Sequence, residues 1–240
     1  MKNGIKLDST ALKLIAITAM LIDHLAWVFV SPFTIGGQLM HFMSRLTIPL
    51  MCYFIVEGYY HTRSVKKYAL RLFAFAIISY LPYVLFQTKS LPTKDTFLNF
   101  SVIHSLLCAL LALWAWDKIE NKALKVLAIV GLCILSIPGD GMFINVLFVL
   151  IFAINRGNRE KQLKYFAIAS LIFAVLINFT SPLYHIPFYA QFYQFGVILV
   201  VPALYCYNGE RRGGKFAKWL FYIFYPAHLL VLAFLKIYFT

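Results

Sequence analysis

Asp23 and His24 sit side by side inside an apolar run that begins near Thr10, and Arg45 sits inside the next one. An ionisable side chain at the centre of a membrane helix costs about 2.5–3.5 kcal/mol on insertion scales, so each needs a partner or a water-filled cavity. Proton transfer and charge stabilisation are the chemistry open to this set. A histidine can take a proton from a nucleophile and later return it. A neighbouring carboxylate orients the ring and stabilises its charged form, and an arginine stabilises a developing oxyanion.

Depth decides whether the charges can meet. With the first helix entering from the inside near Thr10, Asp23 lies roughly 20 Å up. With the second entering from the outside near Gln38, Arg45 lies roughly 10 Å down. In a hydrocarbon core about 30 Å thick the two depths coincide, so an Asp23–Arg45 ion pair is geometrically allowed, with His24 beside it. His41 is one turn from Arg45 on the same helix face. It lies toward the outer surface, as does His185, and both read as packing residues. His104 falls near the outer end of the fourth helix and His228 at mid-membrane in the last.

Glu57 falls at the cytoplasmic rim, with His61 one turn beyond, and is placed to pair with Arg63, Lys66 or Arg71. The basic loop Arg63, Lys66, Lys67 and Arg71 reads first as a topology signal. It also has the chemistry to hold phosphates. Asp140 lies in Pro138-Gly139-Asp140-Gly141, where Asp and Gly are ordinary turn residues. A substrate-side role for His104 and Asp140 is the alternative to a structural one. The residues suggest no metal site.

These residues must be held by membrane helices. The chain is 62% hydrophobic and 13% charged, against roughly 25% charged in soluble domains. Apolar segments fall near 10–30, 38–60, 68–87, 101–117, 122–138, 142–155, 163–180, 188–207 and 216–238. The fold class expected is all-α, a polytopic bundle of about nine transmembrane helices in one domain over 1–240. The net charge of +13 does not mark a nucleic-acid binder, because the basic residues sit in short clusters between apolar runs. The N-terminal loop and the second, fourth, sixth and eighth loops carry 18 of the 22 Lys and Arg residues. Positive charge marks the cytoplasmic side, so the N-terminus is placed inside and the C-terminus outside. The basic start followed by an apolar run has no small-residue cleavage site after it, so the first helix is expected to remain as an anchor. Cys52, Cys108, Cys133 and Cys206 are scattered singly, with neither metal-ligand nor disulfide spacing.

Three strings carry a resemblance. LKLIAITAMLIDH (Leu12 to His24) resembles the opening of the TraX family, the pilin acetylases of conjugation systems. SRLTIPLMCYFIVEGYYHTRSVKKYALRL (Ser44 to Leu72) resembles its second and third helices, and YPAHLL (Tyr225 to Leu230) its last-helix signature. Ser44 stands where the family has Gly, Thr47-Ile48 where it has Ala-Phe, and Asp140-Gly141-Met142 where it has Asp-Tyr-Gly. The resemblance implies a multi-pass acyltransferase of the bacterial inner membrane that uses acetyl-CoA. Asp23, His24, Arg45, Glu57 and His228 match the family's polar positions. On this reading His24 is the base, Asp23 orients it, Arg45 stabilises the intermediate and His228 positions the thioester. Glu57, His61, Arg63, Lys66 and Arg71 would hold acetyl-CoA. The acceptor would be a pilin-like peptide amine or a hydroxyl of a cell-envelope glycan. The rivals are an O-acetyltransferase of envelope glycans, a proton-coupled transporter using Asp23, His24 and Arg45, and a non-catalytic assembly factor.

Overall fold

The computed structural model describes residues 6–210, 212 and 214–239. Lys2, Arg211 and Thr240, which enter the charge count and the topology, lie outside the described residues, as do the side chains of Lys215 and Lys218. Among the described residues the elements are helical, with two isolated bridges and no strand. They are α1 (Ser9–Phe29), α2 (Ile35–Ser44), α3 (Thr47–His61), α4 (Val65–Thr88), α5 (Val102–Lys118), α6 (Lys122–Ser136), α7 (Met142–Ile154), α8 (Arg159–Thr180), α9 (Val200–Tyr205) and α10 (Gly214–Phe239). Two 3-10 segments, Ser181–Tyr184 and Phe188–Leu199, lie between α8 and α9. Among the described residues six stretches are long and apolar enough to cross a membrane: Ser9–Phe29, Ile35–His61, Val65–Thr88, Arg159–Leu183, Phe188–Tyr205 and Trp219–Phe239. Met142–Ile154 is a shorter apolar helix.

Polar residues set the helix starts. Asp8 caps α1, accepting from the backbone N–H groups of Thr10 and Ala11 at 2.9 and 2.8 Å. Ser64, Asn121 and Asn158 cap α4, α6 and α8 in the same way, each satisfying an amide that has no partner within its helix. The stretch read as one helix over 38–60 is interrupted: Arg45 and Leu46 form a turn between α2 and α3. Pro49 supplies the reason, since it has no N–H for the Arg45 carbonyl and its ring crowds that carbonyl.

The chain folds as two compact units: Met1–Leu50 with Asn158–Phe224, and Met51–Gly157 with Tyr225–Thr240. In the first unit α1 packs on α2, α2 on the 3-10 segment Phe188–Leu199, and that segment on α8. A 3-10 run of 12 residues is unusually long. Rising about 2.0 Å per residue, it lets Phe188–Tyr205 reach about 33 Å, where an α-helix of the same residues would reach about 27 Å. Gly196 permits the close approach, because a Cβ there would collide with the Phe42 carbonyl. Gly196→Ala is therefore expected to destabilise the protein by about 1–3 kcal/mol, read as a lower thermal midpoint in detergent. An unchanged midpoint would contradict this packing.

In the second unit α5 packs on α4, α6 and α7. The Pro138–Gly141 tetrapeptide is a turn between two separate helices, α6 and α7. Its backbone pairs with Phe100 through Phe100 N to Pro138 O and Asp140 N to Phe100 O, both 2.9 Å. Gly141 takes φ +80° at the start of α7, a left-handed conformation that glycine adopts without steric cost.

Candidate functional site

Two helical pairs facing each other make the site in the first unit. Asp23 and Trp27 are four residues apart on α1, and His41 and Arg45 are four apart at the end of α2, so each pair shares a face. The Asp23–Arg45 ion pair expected from depth is present, with Arg45 Nη2 donating to Asp23 Oδ1 at 2.7 Å. The same oxygen lies 2.8 Å from His41 Nδ1. His41, read from the sequence as an outward packing residue, is completely buried. Its ring centroid lies 4.3 Å from that of Trp27 and 5.2 Å from that of Tyr193, and the Arg45 guanidinium also sits 5.2 Å from the Tyr193 ring. The 3-10 segment brings Tyr193 in over the cluster. Gln38, one turn before His41, fixes that segment. Its Oε1 accepts from Tyr193 N at 3.1 Å, and its Nε2 donates to the carbonyls of Pro32 and Ala190 at 2.6 and 3.0 Å.

The geometry assigns protons. An ionised carboxylate only accepts, so His41 Nδ1 carries the hydrogen of that bond. In the neutral ring Nε2 is then a lone-pair acceptor, and it is buried with no hydrogen-bond partner. This is the arrangement in which a carboxylate holds an imidazole in the tautomer that accepts protons at Nε2. His24 lies beside Asp23 in sequence, yet its Nδ1 donates to the Met20 carbonyl of its own helix at 2.8 Å. The side chain on the Asp23 carboxylate is thus His41, as well as Arg45. Among the described residues no group of three or more His, Cys, Asp or Glu is placed to hold a metal ion.

The other expected site residues belong to the second unit. Glu57 pairs with Arg156 (Oε1 to Nε 3.5 Å) and His61 (Oε2 to Nδ1 3.7 Å), rather than with the second-loop cations that its sequence position suggested. Arg156 also lies over the Tyr60 ring at 4.3 Å. Arg63, Lys66 and Lys67 are exposed around the capped start of α4, and Arg71 is half-buried with its guanidinium 5.4 Å from the Tyr68 ring. The Asp140 backbone is locked in its turn, where the Asp140 carbonyl accepts from Ser105 Oγ at 2.5 Å. Asn145 Nδ2 in turn donates to Ser105 Oγ at 2.8 Å. His104 stacks at 4.7 Å on Phe100, the residue paired with that turn. His228 is 7% exposed with its ring 5.7 Å from Tyr225.

Sequence reasoning missed Trp27, Gln38 and Tyr193. Gln38 was visible as an amide within an apolar stretch. Tyr193 lies 148 positions beyond Arg45, and no spacing rule connects the two.

Comparison with known proteins agrees with the three strings. The TraX protein family matches residues 8–236. A protein named probable fimbrial assembly protein FimC, serogroup H1, from Dichelobacter nodosus is 31% identical over 252 residues, covering 99% of each chain. No solved structure matches. With the family model matching residues 8–236 of its 240, the chain belongs to the TraX family.

Proposed function

We propose that this multi-pass membrane protein is an acyltransferase that moves an acetyl group from acetyl-CoA to a pilin-like peptide amine or a cell-envelope acceptor. The observation that carries this reading is the pairing of the buried His41 with the partly buried Asp23, with Arg45 on the same carboxylate oxygen. In this reading the side chains that cover His41, Trp27 and Tyr193 among them, part as the acceptor enters, and Nε2 takes the proton of the acceptor N–H or O–H as the acceptor attacks the thioester carbonyl. Asp23 holds the ring and stabilises the imidazolium that forms. Arg45 and Asp23 together keep a fixed charge pair beside the reaction. The C–S bond breaks, coenzyme A leaves as its thiolate, and the imidazolium proton is returned to it. His24, with its own Nδ1 bonded to a carbonyl, is the second candidate for the base. The basic residues Arg63, Lys66, Lys67 and Arg71 suit the phosphates of the donor, since they gather at a helix N-terminus where the dipole also favours anions. Glu57, His61 and His228 remain candidate positioning residues for the donor, and His104 and Asp140 for the acceptor.

Radiolabelled acetyl-CoA, given to the purified protein in detergent with a pilin N-terminal peptide or an envelope glycan, tests the reading. Label transferred to either acceptor supports it, and intact acetyl-CoA with unlabelled acceptors overturns it. The turn at Arg45 within the Ile35–His61 span is the observation that favours the rival transporter reading, because broken helices line ion sites. Proton flux into proteoliposomes without acetyl transfer would establish that rival.

The topology proposed with this function has the N-terminus in the cytoplasm of a bacterial inner membrane and the C-terminus outside. Contacts within each unit support it. Leu7 pairs with the Cys206–Asn208 backbone, and Arg159 donates to the carbonyls of Leu204 and Tyr207, so the N-terminal, sixth and eighth loops share one end of the first unit. In the second unit Tyr59 donates to Asp117 at 2.7 Å and Arg156 meets Glu57, joining the second, fourth and sixth loops. The Phe100–Gly139 bridge and the bond from Lys236 Nζ to the Phe86 carbonyl join the loops assigned to the outside. Reporter fusions after Lys66, Lys122, Arg159 and Arg212 are expected to report cytoplasm, and a fusion after Thr240 the exterior. Cytoplasmic activity at Thr240 would refute the nine-span alternation.

A further inference from the structure

Side chains from two neighbouring helices hold the backbone of the 3-10 segment Phe188–Leu199, which covers the charged cluster of the first unit. Gln38 of α2 accepts from Tyr193 N at 3.1 Å and donates to the Ala190 carbonyl at 3.0 Å. An N–H and a carbonyl three residues apart are the pair that a 3-10 helix joins directly, so the Gln38 amide stands across one rung of the ladder. Asn178 of α8 donates to the next carbonyl, that of Gln191, at 3.1 Å. Gly196, pressed on the Phe42 carbonyl, pins the end that runs into α9. Runs of 3-10 helix beyond three or four residues are uncommon because their hydrogen bonds are poorly aligned; this one has 12 residues. Rewinding it as α-helix would satisfy the same groups within the segment. Tyr193 N would meet the Tyr189 carbonyl, and the Ala190 carbonyl would meet Gln194 N. Neither group is then stranded in hydrocarbon, which has no water to offer it.

We propose that Phe188–Leu199 is a gate over His41 and Arg45, closed as a 3-10 helix and open as an α-helix, with Gln38 as its latch. The change of winding has a defined effect on Tyr193. A 3-10 helix turns by about 120° per residue and an α-helix by about 100°. With Gly196 pinned, Tyr193, three residues before it, turns by about 60°. At a side-chain radius of about 5–6 Å its ring moves by about the same distance. That displacement takes the ring off His41, whose centroid lies 5.2 Å away when the gate is closed. Closed, the gate keeps water from the imidazole between turnovers; open, it admits the acceptor to Nε2. This use of the gate rests on the reading of His41 as the base. The winding change does not, and it can be measured without acetyl transfer.

The test uses the full chain in nanodiscs, with neither donor nor acceptor present. Diethyl pyrocarbonate acylates neutral imidazole nitrogen, and mass spectrometry of the α2 peptide reads its rate of attack on His41. Attack should be slow in the unmutated protein. Gln38→Leu removes two bonds to the segment and should raise the His41 rate by about 30-fold, and Asn178→Leu, which removes one, by about fivefold. His228 of the second unit reports general loosening and should keep its rate. Spin labels at Phe192 and Leu171, both exposed, in a variant whose four cysteines are serine, read the winding. Pulsed EPR should resolve two distances, the share of the second rising in Gln38→Leu. Should Gln38→Leu fail to fold, Asn178→Leu carries both measurements. An unchanged His41 rate in the folded variants would overturn the gate. So would an equal rise at His228, or one unchanged distance between the labels. A latch variant that exposes His41 in a protein without acetyl transfer would uphold the gate and overturn the acyltransferase reading instead.

Discussion

His41→Ala is expected to lower acetyl transfer by about 10²–10⁴-fold, the range that a general base contributes, while acetyl-CoA binding and expression persist. The expectation follows from one atom. His41 Nε2 is buried and unpartnered while Nδ1 is held by Asp23, so the ring presents a lone pair in a fixed direction. His24→Ala should cost less, since its ring is anchored to a backbone carbonyl rather than to the carboxylate. Transfer rates of the two variants, measured against the unmutated protein at equal amounts of folded enzyme, separate the assignments. Near-normal transfer by His41→Ala together with a large loss in His24→Ala would return the role of base to the residue adjacent to Asp23. Tyr193→Phe keeps the ring that covers the cluster and should retain most of the rate.

Much of the scaffold was legible because the bilayer restricts what a chain can do. Apolar runs punctuated by capping residues and basic loops mark helix after helix, and each of the nine segments read from the sequence overlaps helix among the described residues, the one read over 38–60 being divided at Arg45-Leu46 into α2 and α3. Asp23 and Arg45 could be matched by rise per residue alone, because two helices entering from opposite faces carry a simple depth scale. His41 escaped that logic. A residue one turn closer to the surface than Arg45 is exposed unless something packs over it. What packs over it is the 3-10 segment, whose apolar composition looks the same as that of an α-helix. Its longer rise and the missing Cβ at Gly196 bring Tyr193 onto His41, and neither effect has a periodicity to detect. The break at Arg45 did have a signal in Pro49, four residues on, where a helix loses both a donor and the room for a carbonyl. Glu57 shows the opposite failure. Its nearest cations in sequence are Arg63 and Lys66, whereas its partner Arg156 arrives from the far end of α7.

Asp23→Asn is expected to destabilise the protein by up to about 3–5 kcal/mol, the cost of leaving one member of a fully buried ion pair without its counter-charge, since Asp23 and Arg45 are only 16% and 18% exposed. Asparagine keeps the size of the side chain and an oxygen to accept from His41, so the loss reports the missing charge opposite Arg45. Reduced thermal stability in detergent is the measurement, and an unchanged midpoint would remove the ion pair from the account of the fold. The single variant cannot by itself distinguish a structural pair from a catalytic one, because either role predicts an inactive protein. The double variant Asp23→Asn with Arg45→Met does. With both charges gone no ion is stranded, and replacing a buried pair by neutral groups of similar volume is often neutral or stabilising. Stability should return toward that of the unmutated protein. Transfer should not return, because His41 then lacks the carboxylate that fixes its tautomer and stabilises its charged form. Recovery of stability and activity together would make Asp23 and Arg45 packing residues and leave the chemistry to another part of the chain.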